Sequence, residues 1–143
     1  MSAIQFELPD SRVLDLFAGS GALGIEALSR GAAHATFVEN SVRVLPVLRR
    51  NLAMLGASES AEIVRKAALA YAATLDEFAF DIALADPPYG QNLAAQLAAI
   101  FLERKFAHML WVEHRTGEEM PEAEGSRTRK YGSTAITSYQ ANR

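Results

Sequence analysis

The apolar run FDIALA ends in the tetrapeptide Asp86-Pro87-Pro88-Tyr89. Consecutive prolines donate no backbone hydrogen bond and hold the chain extended, so a strand that ends here is followed by a stiff segment. The carboxylate of Asp86 and the carbonyl of Pro87 are two hydrogen-bond acceptors beside the ring of Tyr89. The tetrapeptide therefore predicts a rigid acceptor site at the end of a strand, although a sharp turn with Tyr89 packed as a lid explains the same residues.

A glycine-rich segment supplies a second candidate site. Gly19, Gly21 and Gly24 match the pattern G-x-G-x-x-G after a strand-like run, and Glu39 ends the next strand-like run twenty residues after Gly19. Ligands of doubly wound sheets bind beyond the C-terminal ends of the strands. The pattern predicts a nucleotide-like ligand whose ribose hydroxyls donate to Glu39. The competing interpretation is that the glycines only permit a tight turn.

Asp15, four residues before Gly19, bears on which ligand binds. A dinucleotide would set its pyrophosphate against the glycine loop, where a carboxylate is an unfavourable neighbour. S-adenosylmethionine has no phosphate and carries an ammonium and a sulfonium. Asp15 therefore favours the methyl donor, and a nicotinamide dinucleotide stays open as the alternative.

The order of the elements predicts how these residues come together. Strands alternate with helices, and a hairpin around Tyr131-Gly132-Ser133 follows the fifth strand. Parallel strands need crossover helices, so this order predicts an α/β, Rossmann-like, doubly wound, mostly parallel seven-stranded sheet with an antiparallel C-terminal hairpin strand. The predicted strands are SRVLDLF, AHATFVEN, AEIVRK, FDIALAD, AHMLWVEHR and two in RTRKYGSTAITSYQ. The predicted helices lie in AGSGALGIEALSRGA, after Asn40-Ser41, in AALAYAATLDEF and in QNLAAQLAAIFLERK.

The second helix is predicted in the most detail. Asn40-Ser41 are typical N-cap residues, and Gly56 is a typical stop. The leucines between them have the spacing of one buried helix face. These leucines are Leu45, Leu48, Leu52 and Leu55.

Composition limits the class of protein. The chain has 143 residues, no cysteine and a net charge of −3, which predicts a single domain over residues 1–143. We expect no metal, because thiolate zinc sites are excluded and the three histidines are scattered. No apolar run approaches the ~20 residues of a membrane span and no signal peptide is evident, so we expect a cytoplasmic protein without membrane contact. Nucleic-acid binding would depend on local basic clusters such as Arg127, Arg129 and Lys130.

Three segments carry a family resemblance: VLDLFAGSGALGIEALSRGA, FVEN and FDIALADPPYG, in this order. The chain resembles the class I S-adenosylmethionine-dependent methyltransferases, and among them the RsmD-like 16S rRNA (guanine-N2)-methyltransferases. The match runs from about Arg12 to the terminal hairpin. The resemblance implies an enzyme that uses S-adenosyl-L-methionine, releases S-adenosyl-L-homocysteine and methylates rRNA within a small ribosomal subunit or an assembly intermediate.

The resemblance also implies roles for individual residues. It implies that Asp15, Gly19 and Gly21 line the methionine end of the donor and that Glu39 holds its ribose. Phe17 and Asn40 are further predicted cofactor-binding residues. The predicted catalytic residues, which hold the target amine, are Asp86, Pro87, Pro88 and Tyr89.

Elementary chemistry supports these catalytic roles. The lone pair of an exocyclic base amine is delocalised into the ring, so the amine is a poor nucleophile. Acceptance of its two N–H bonds by Asp86 and by the Pro87 carbonyl would localise the lone pair toward the sulfonium methyl. Tyr89 would stack on a base that has left its helix. Alignment then supplies most of the rate enhancement, with neither a metal nor a covalent intermediate.

Two features depart from the family pattern. Only MSAIQFELPD precedes the first strand, where relatives carry an N-terminal extension, and Ala67 stands where an acid near adenine is expected. Three alternatives therefore stay open. They are an adenine-N6 methyltransferase acting on DNA or RNA, a truncated non-catalytic module that binds the donor or a partner, and a nicotinamide-dependent oxidoreductase.

Overall fold

The computed structural model describes residues 8–141, which form seven strands, four α-helices and one 3₁₀ turn. The strands are β1 (Arg12–Leu16), β2 (His34–Val38), β3 (Ala61–Val64), β4 (Phe80–Ala85), β5 (Ala107–Arg115), β6 (Arg127–Tyr131) and β7 (Thr134–Gln140). The helices are α1 (Ala22–Ser29), α2 (Leu45–Met54), α3 (Ala68–Ala72) and α4 (Leu93–Arg104), and the 3₁₀ turn is Ser58–Ser60. Within the described residues, no helix is long and apolar enough to cross a bilayer.

All seven strands join one sheet in the order β3-β2-β1-β4-β5-β7-β6. Strands β1 to β5 pair in parallel, whereas β7 runs antiparallel to both β5 and β6. The predicted fold class is confirmed. The strand order reverses between β1 and β4, so the C-terminal ends of these two strands flank the topological switch point, where open α/β sheets bind their ligands.

The core consists of one apolar layer on each face of the sheet. Successive residues of β1 enter opposite layers because side chains alternate along a strand. Leu14 packs in the layer that contains Leu97 of α4, whereas Val13 packs in the layer that contains Leu48 of α2. All four side chains are fully buried. Burial on both faces holds the ends of β1 and its neighbours in fixed positions.

Helix α2 begins later than the sequence predicted. It starts at Leu45, its N-cap residue is Val44, and no side chain caps it. Asn40 and Ser41 instead precede a turn at residues 42–44, and the carbonyl of Ser41 accepts hydrogen bonds from the N–H groups of Val44 and Leu45 at 3.1 Å. The prediction of an Asn40-Ser41 cap is wrong because this turn separates the two residues from the helix.

The buried face of α2 is also shorter than predicted. Leu45, Leu48 and Leu52 are buried, but Leu55 is 59% exposed and lies after the last helical residue. Gly56 has a φ of 63° and stands where the helix was expected to stop. The 3.6-residue period ends with the helix, so Leu55 no longer shares its face.

Candidate active site at the switch point

The C-terminal ends of β1, β2 and β4 meet at one edge of the sheet. The last residue of β1 pairs with the last residue of β2 on one side and with the last residue of β4 on the other. Phe17, Glu39 and Asp86 immediately follow these strands, so they leave the sheet side by side. The fold thus brings together candidate residues from three distant parts of the sequence.

Asp15 is a buried carboxyl group beneath this edge, with 1% of its surface exposed. Its Oδ2 accepts the N–H of Gly24 at 3.0 Å, and its Oδ1 has no hydrogen-bond partner among the described residues. Burial raises the pKa of Asp15 to about 8; the Gly24 bond opposes this, and the nearby charges of Asp86 and Glu39 add to it. A buried acid with one unpartnered oxygen is suited to a cationic group. It therefore fits the ammonium of the expected methyl donor better than a pyrophosphate.

Glu39 ties the glycine loop to the turn that precedes α2. Its Oε1 accepts the N–H of Gly19 at 2.7 Å, and its Oε2 accepts the N–H of Ser41 at 2.8 Å. Each carboxylate oxygen has a second lone pair, so Glu39 can still accept hydrogen bonds from two ribose hydroxyls. Sequence reasoning predicted the ligand contact of Glu39 but missed these two backbone contacts.

The three glycines of the loop have different reasons to lack a side chain. Gly21 has a φ of 90°, and a Cβ there would lie 2.5 Å from Cδ1 of Leu48. A Cβ at Gly24 would collide with the ring of Phe37. Gly19 has a φ of 58° and nothing within 4 Å of its Cβ position. Packing thus explains Gly21 and Gly24, whereas the surroundings of Gly19 are open to a ligand.

A cavity of about 320 Å³ opens beside the loop. The predicted cofactor-binding residues Phe17, Glu39 and Asn40 line it, and so does Ala67. Phe17 has a φ of 59°, which is rare for an aromatic residue and is typical of backbone held in place at a functional site. Ala67 stands in the cavity wall where an acid was expected. The amino group of an adenine ring there would have to donate its hydrogen bond to another residue.

The tetrapeptide after β4 forms the other side of the switch point. Pro87 is buried, whereas Asp86 and Pro88 are exposed. Tyr89 is 40% exposed, and its hydroxyl lies 3.4 Å from Oγ1 of Thr134. The guanidinium of Arg115 lies 4.9 Å from the centre of the Tyr89 ring. Tyr89 is therefore a surface ring with Arg115 against it, and it is not a lid packed into the core.

Glu113 is a further acid at this site, and sequence reasoning assigned it no role. It follows Val112, which pairs with Ala85, so Glu113 lies beside Asp86 on the neighbouring strand. Burial raises the pKa of Glu113 to about 7, and both a hydrogen bond to Asp86 and the charge of Asp86 add to the shift. The position of Glu113 at the end of the fifth strand was the only sequence signal.

The histidines do not contribute to this site. His114, near the end of β5, is only 2% exposed, and its Nε2 lies 2.7 Å from Oγ1 of Thr137. His108 stacks on Phe78 with ring centres 4.4 Å apart. Within residues 8–141, no group of three or more histidine, cysteine or acidic side chains could hold a metal ion.

Comparison with known proteins identifies the family. The family model described as Conserved hypothetical protein 95 (Cons_hypoth95) matches residues 1–140. The chain belongs to this family. The match includes every candidate residue from Asp15 to Glu113, so the Cons_hypoth95 family pattern covers the whole switch-point site.

Relatives of this Cons_hypoth95 chain carry rRNA methyltransferase names. The ribosomal RNA small subunit methyltransferase D of Haemophilus influenzae is 35% identical over 135 residues, which are 91% of this chain and 70% of the relative. YlbH of Bacillus subtilis, provisionally named an rRNA methyltransferase, is 35% identical over 138 residues, 90% of this chain and 75% of the relative. The crystal structure of a provisionally named Haemophilus influenzae methylase has a TM-score of 0.82 at 32% identity, covering 93% of this chain and 88% of that one. The predicted RsmD-like resemblance is confirmed.

Proposed function

We propose that this Cons_hypoth95 chain is an S-adenosylmethionine-dependent N-methyltransferase that acts on guanine N2 of small-subunit rRNA. One observation carries the proposal: the glycine loop and the Asp86–Tyr89 segment follow the paired strands β1 and β4 at the switch point. The methyl donor and the acceptor amine would therefore bind next to each other. The name of the Haemophilus influenzae relative supports rRNA as the substrate.

The residues present fit the methyl donor. Asp15 offers an unpartnered buried oxygen to an ammonium, and Glu39 offers lone pairs to ribose hydroxyls. Phe17 and Asn40 would contact the nucleoside in the 320 Å³ cavity. When bound, S-adenosylmethionine supplies an electrophilic methyl group on a sulfonium.

The residues of the tetrapeptide would orient the acceptor. The Asp86 carboxylate and the Pro87 carbonyl would accept the two N–H bonds of the amine, and burial of Pro87 fixes the second acceptor. The exposed ring of Tyr89 would stack on the base. The nitrogen gains a methyl group and must lose a proton, for which Asp86 is the adjacent base. Rate enhancement would come mainly from alignment and from the preset acceptors.

We further propose that the substrate is rRNA within a small ribosomal subunit or an assembly intermediate. A net charge of −3 gives the chain little general attraction for free RNA. A particle can present the target nucleotide in a shape that the chain recognises with few contacts. A cytoplasmic location follows from this substrate and stays a prediction.

The proposal is tested by label transfer from tritiated S-adenosylmethionine. The substrates are naked small-subunit rRNA and small subunits from cells without the endogenous guanine-N2 activity, and labelled nucleosides are identified after digestion. Asp86→Ala should abolish transfer while S-adenosylhomocysteine still binds. Asp76→Ala, which removes an exposed acid outside the site, is the matched control and should transfer label normally.

Each outcome of this experiment has a distinct meaning. Label in N2-methylguanosine supports the proposal, and a preference for subunits over naked rRNA supports the particle as substrate. Label in N6-methyladenosine would keep the chemistry and reject the guanine assignment. No label from a protein that binds S-adenosylhomocysteine would favour a non-catalytic donor-binding module. Normal transfer by Asp86→Ala would reject the role of the tetrapeptide.

A further inference from the structure

We propose that one face of the C-terminal hairpin binds the phosphate backbone of the RNA beside the target nucleotide. We call it the hairpin face and define it by Arg115, Arg127, Arg129 and Tyr131. The inference rests on the proposed function, since it assigns a docking surface to the same RNA substrate. Arg115 contacts Tyr89 of the switch-point site, whereas Arg127, Arg129 and Tyr131 lie on β6, two strands further along the sheet.

The pairing register brings these side chains to one face of the sheet. Thr134 of β7 lies between Arg115 of β5 and Tyr131 of β6, and Ile136 pairs with Arg129. Side chains two residues apart on a strand point to the same face, so Arg127 joins Arg129 and Tyr131. The hairpin face therefore presents three guanidinium groups and one aromatic ring, and Glu113 of β5 lies on the same face, in the row of Arg129.

The opposite face of the hairpin has acidic side chains near it. Thr128 and Lys130 alternate with the arginines of β6 and line a cavity of about 490 Å³. Acids of the loop after β5 line the same cavity, namely Glu118, Glu119 and Glu122. Of these acids, Glu118 also borders Arg115 at the rim of the hairpin face. The positive charge of the hairpin face is thus local, in a chain that is acidic as a whole.

The arginines of the hairpin face are available to a ligand. Arg115 and all five residues of β6 are exposed. Among the described residues, the salt bridge within 4.0 Å joins Arg30 and Glu26, and none involves an arginine of the hairpin face. Guanidinium groups without a carboxylate partner can bind phosphate oxygens in a bidentate manner.

The hairpin face is continuous with the segment proposed to hold the base. Arg115 lies against the Tyr89 ring, and the Tyr89 hydroxyl lies 3.4 Å from Thr134. Tyr89, Asn92 and Arg115 also line a cavity of about 420 Å³. Two strand spacings, about 10 Å, separate β5 from β6. A nucleotide whose base stacks on Tyr89 would therefore have neighbouring phosphates close to the arginines.

The aromatic ring favours RNA over an acidic protein as the occupant. Tyr131 is 53% exposed at the end of β6, in the same row as Arg115. Single-stranded RNA combines phosphates with unstacked bases, and such bases stack on exposed aromatic and guanidinium planes. An acidic peptide would use the three charges but would not need the ring.

The test uses the full chain and a fluorescently labelled RNA strand that contains the target region of small-subunit rRNA. Arg127→Gln/Arg129→Gln should weaken RNA binding by about tenfold or more at low salt and reduce the slope of log affinity against log salt by about 1.4 to 2. Arg49→Gln/Arg50→Gln removes the same charge from the exposed side of α2 and should leave both values unchanged. Arg127→Lys/Arg129→Lys should retain most of the salt slope, because the charges remain.

Further readouts separate the docking surface from the catalytic proposal. S-adenosylhomocysteine affinity and the melting temperature should be equal in all these variants, since β6 is exposed and distant from the donor cavity. In methyl transfer, the Arg127→Gln/Arg129→Gln variant should raise KM for RNA and leave kcat at saturation unchanged. RNA binding is measured without turnover, so an inactive wild-type chain would reject the proposed function and still test the hairpin face. Equal binding and salt slopes in the wild type and the Arg127→Gln/Arg129→Gln variant, or an equal loss in the α2 control, would overturn this inference.

Discussion

Asp86 and Glu113 lie side by side at the ends of β4 and β5, each directly after a residue of the pair Ala85 and Val112. Two carboxylates in contact repel each other, so one of them tends to hold a proton. Burial and the contact with Asp86 raise the pKa of Glu113 to about 7. The opposite residue on β7, Ile136, is apolar, and Arg115 and Arg129 are the basic groups nearest on the same face. The charge of the pair therefore changes near neutral pH.

This pair predicts a pH dependence of methyl transfer. Neutral Glu113 donates a hydrogen bond to Asp86 and weakens it as a proton acceptor, whereas ionised Glu113 leaves Asp86 fully basic. The value of kcat/KM should therefore rise as the pH increases through about 7. Glu113→Gln mimics the neutral form, so this rise should vanish and the rate at high pH should fall about tenfold, less than the ~100-fold typical of losing a direct base. Single-turnover rates across pH, with Glu103→Gln on α4 as control, measure the effect. An unchanged pH profile in Glu113→Gln would contradict it.

Asp15 predicts that donor binding releases a proton. The buried carboxyl has its pKa raised to about 8, so at pH 7 it is mostly neutral in the free protein. A bound ammonium favours the ionised form and should displace close to one proton. Calorimetry of S-adenosylhomocysteine binding in buffers with different heats of ionisation counts this proton. Asp15→Asn should bind more weakly and release none, and equal proton release by the variant would exclude Asp15 as the ammonium contact.

The same group sets a trend of stability with pH. The pKa of Asp15 is raised from 3.8 in the unfolded chain to about 8, so the folded state holds a proton that the unfolded state gives up. The resulting stabilisation is full below pH ~4 and is lost as the pH rises toward ~8. The wild-type melting temperature should therefore fall across this range more steeply than that of Asp15→Asn. Parallel curves for the two proteins would contradict the buried, neutral state of Asp15.

The contacts of Glu39 predict that its substitution lowers both the stability of the glycine loop and the affinity for the donor. Glu39→Gln replaces one acceptor oxygen by an NH₂ group, which cannot accept from both Gly19 and Ser41. Loss of one partly exposed, charge-assisted bond should cost about 1 kcal/mol of unfolding free energy. Affinity for S-adenosylhomocysteine should drop about tenfold, as measured by titration calorimetry. Glu62→Gln on β3 changes an exposed glutamate and should alter neither quantity. A Glu39→Gln protein with wild-type affinity would mean that Glu39 serves the loop alone.

The close contact of Gly24 with Phe37 predicts that substitutions at these two residues have coupled effects on the free energy of unfolding. A methyl group at Gly24 would collide with the Phe37 ring and lie 3.1 Å from Oδ2 of Asp15. Gly24→Ala should therefore destabilise the fold by about 1–3 kcal/mol, the usual range for overpacking. Phe37→Leu removes the obstructing ring. In the Phe37→Leu background, Gly24→Ala should therefore cost less stability than it does in the wild type. Denaturant unfolding of both single variants and the double variant gives the coupling energy. Strict additivity would show that the ring is not the obstacle.

The sequence predicted the order and type of the strands because buried parallel strands are short apolar runs separated by helices. The positions of the glycine loop after β1 and of Asp86–Tyr89 after β4 were also predictable, since short-range spacing specifies them. The contact of Glu113 with Asp86 and that of Arg115 with Tyr89 depend on the register between distant segments. The start of α2 was missed because Glu39 and the following turn use the N–H and carbonyl of Ser41, an arrangement that local propensity does not report.

The position of β7 has a consequence for the order in which the protein can be assembled during synthesis. Strand β6 is made before β7 but pairs only with β7, which lies between β6 and β5. Until residues 134–140 have left the ribosome, β6 has no partner in the sheet and the edge of β5 stays unpaired. A nascent chain can therefore form the donor side of the sheet first, while the arginines of β6 have no fixed arrangement.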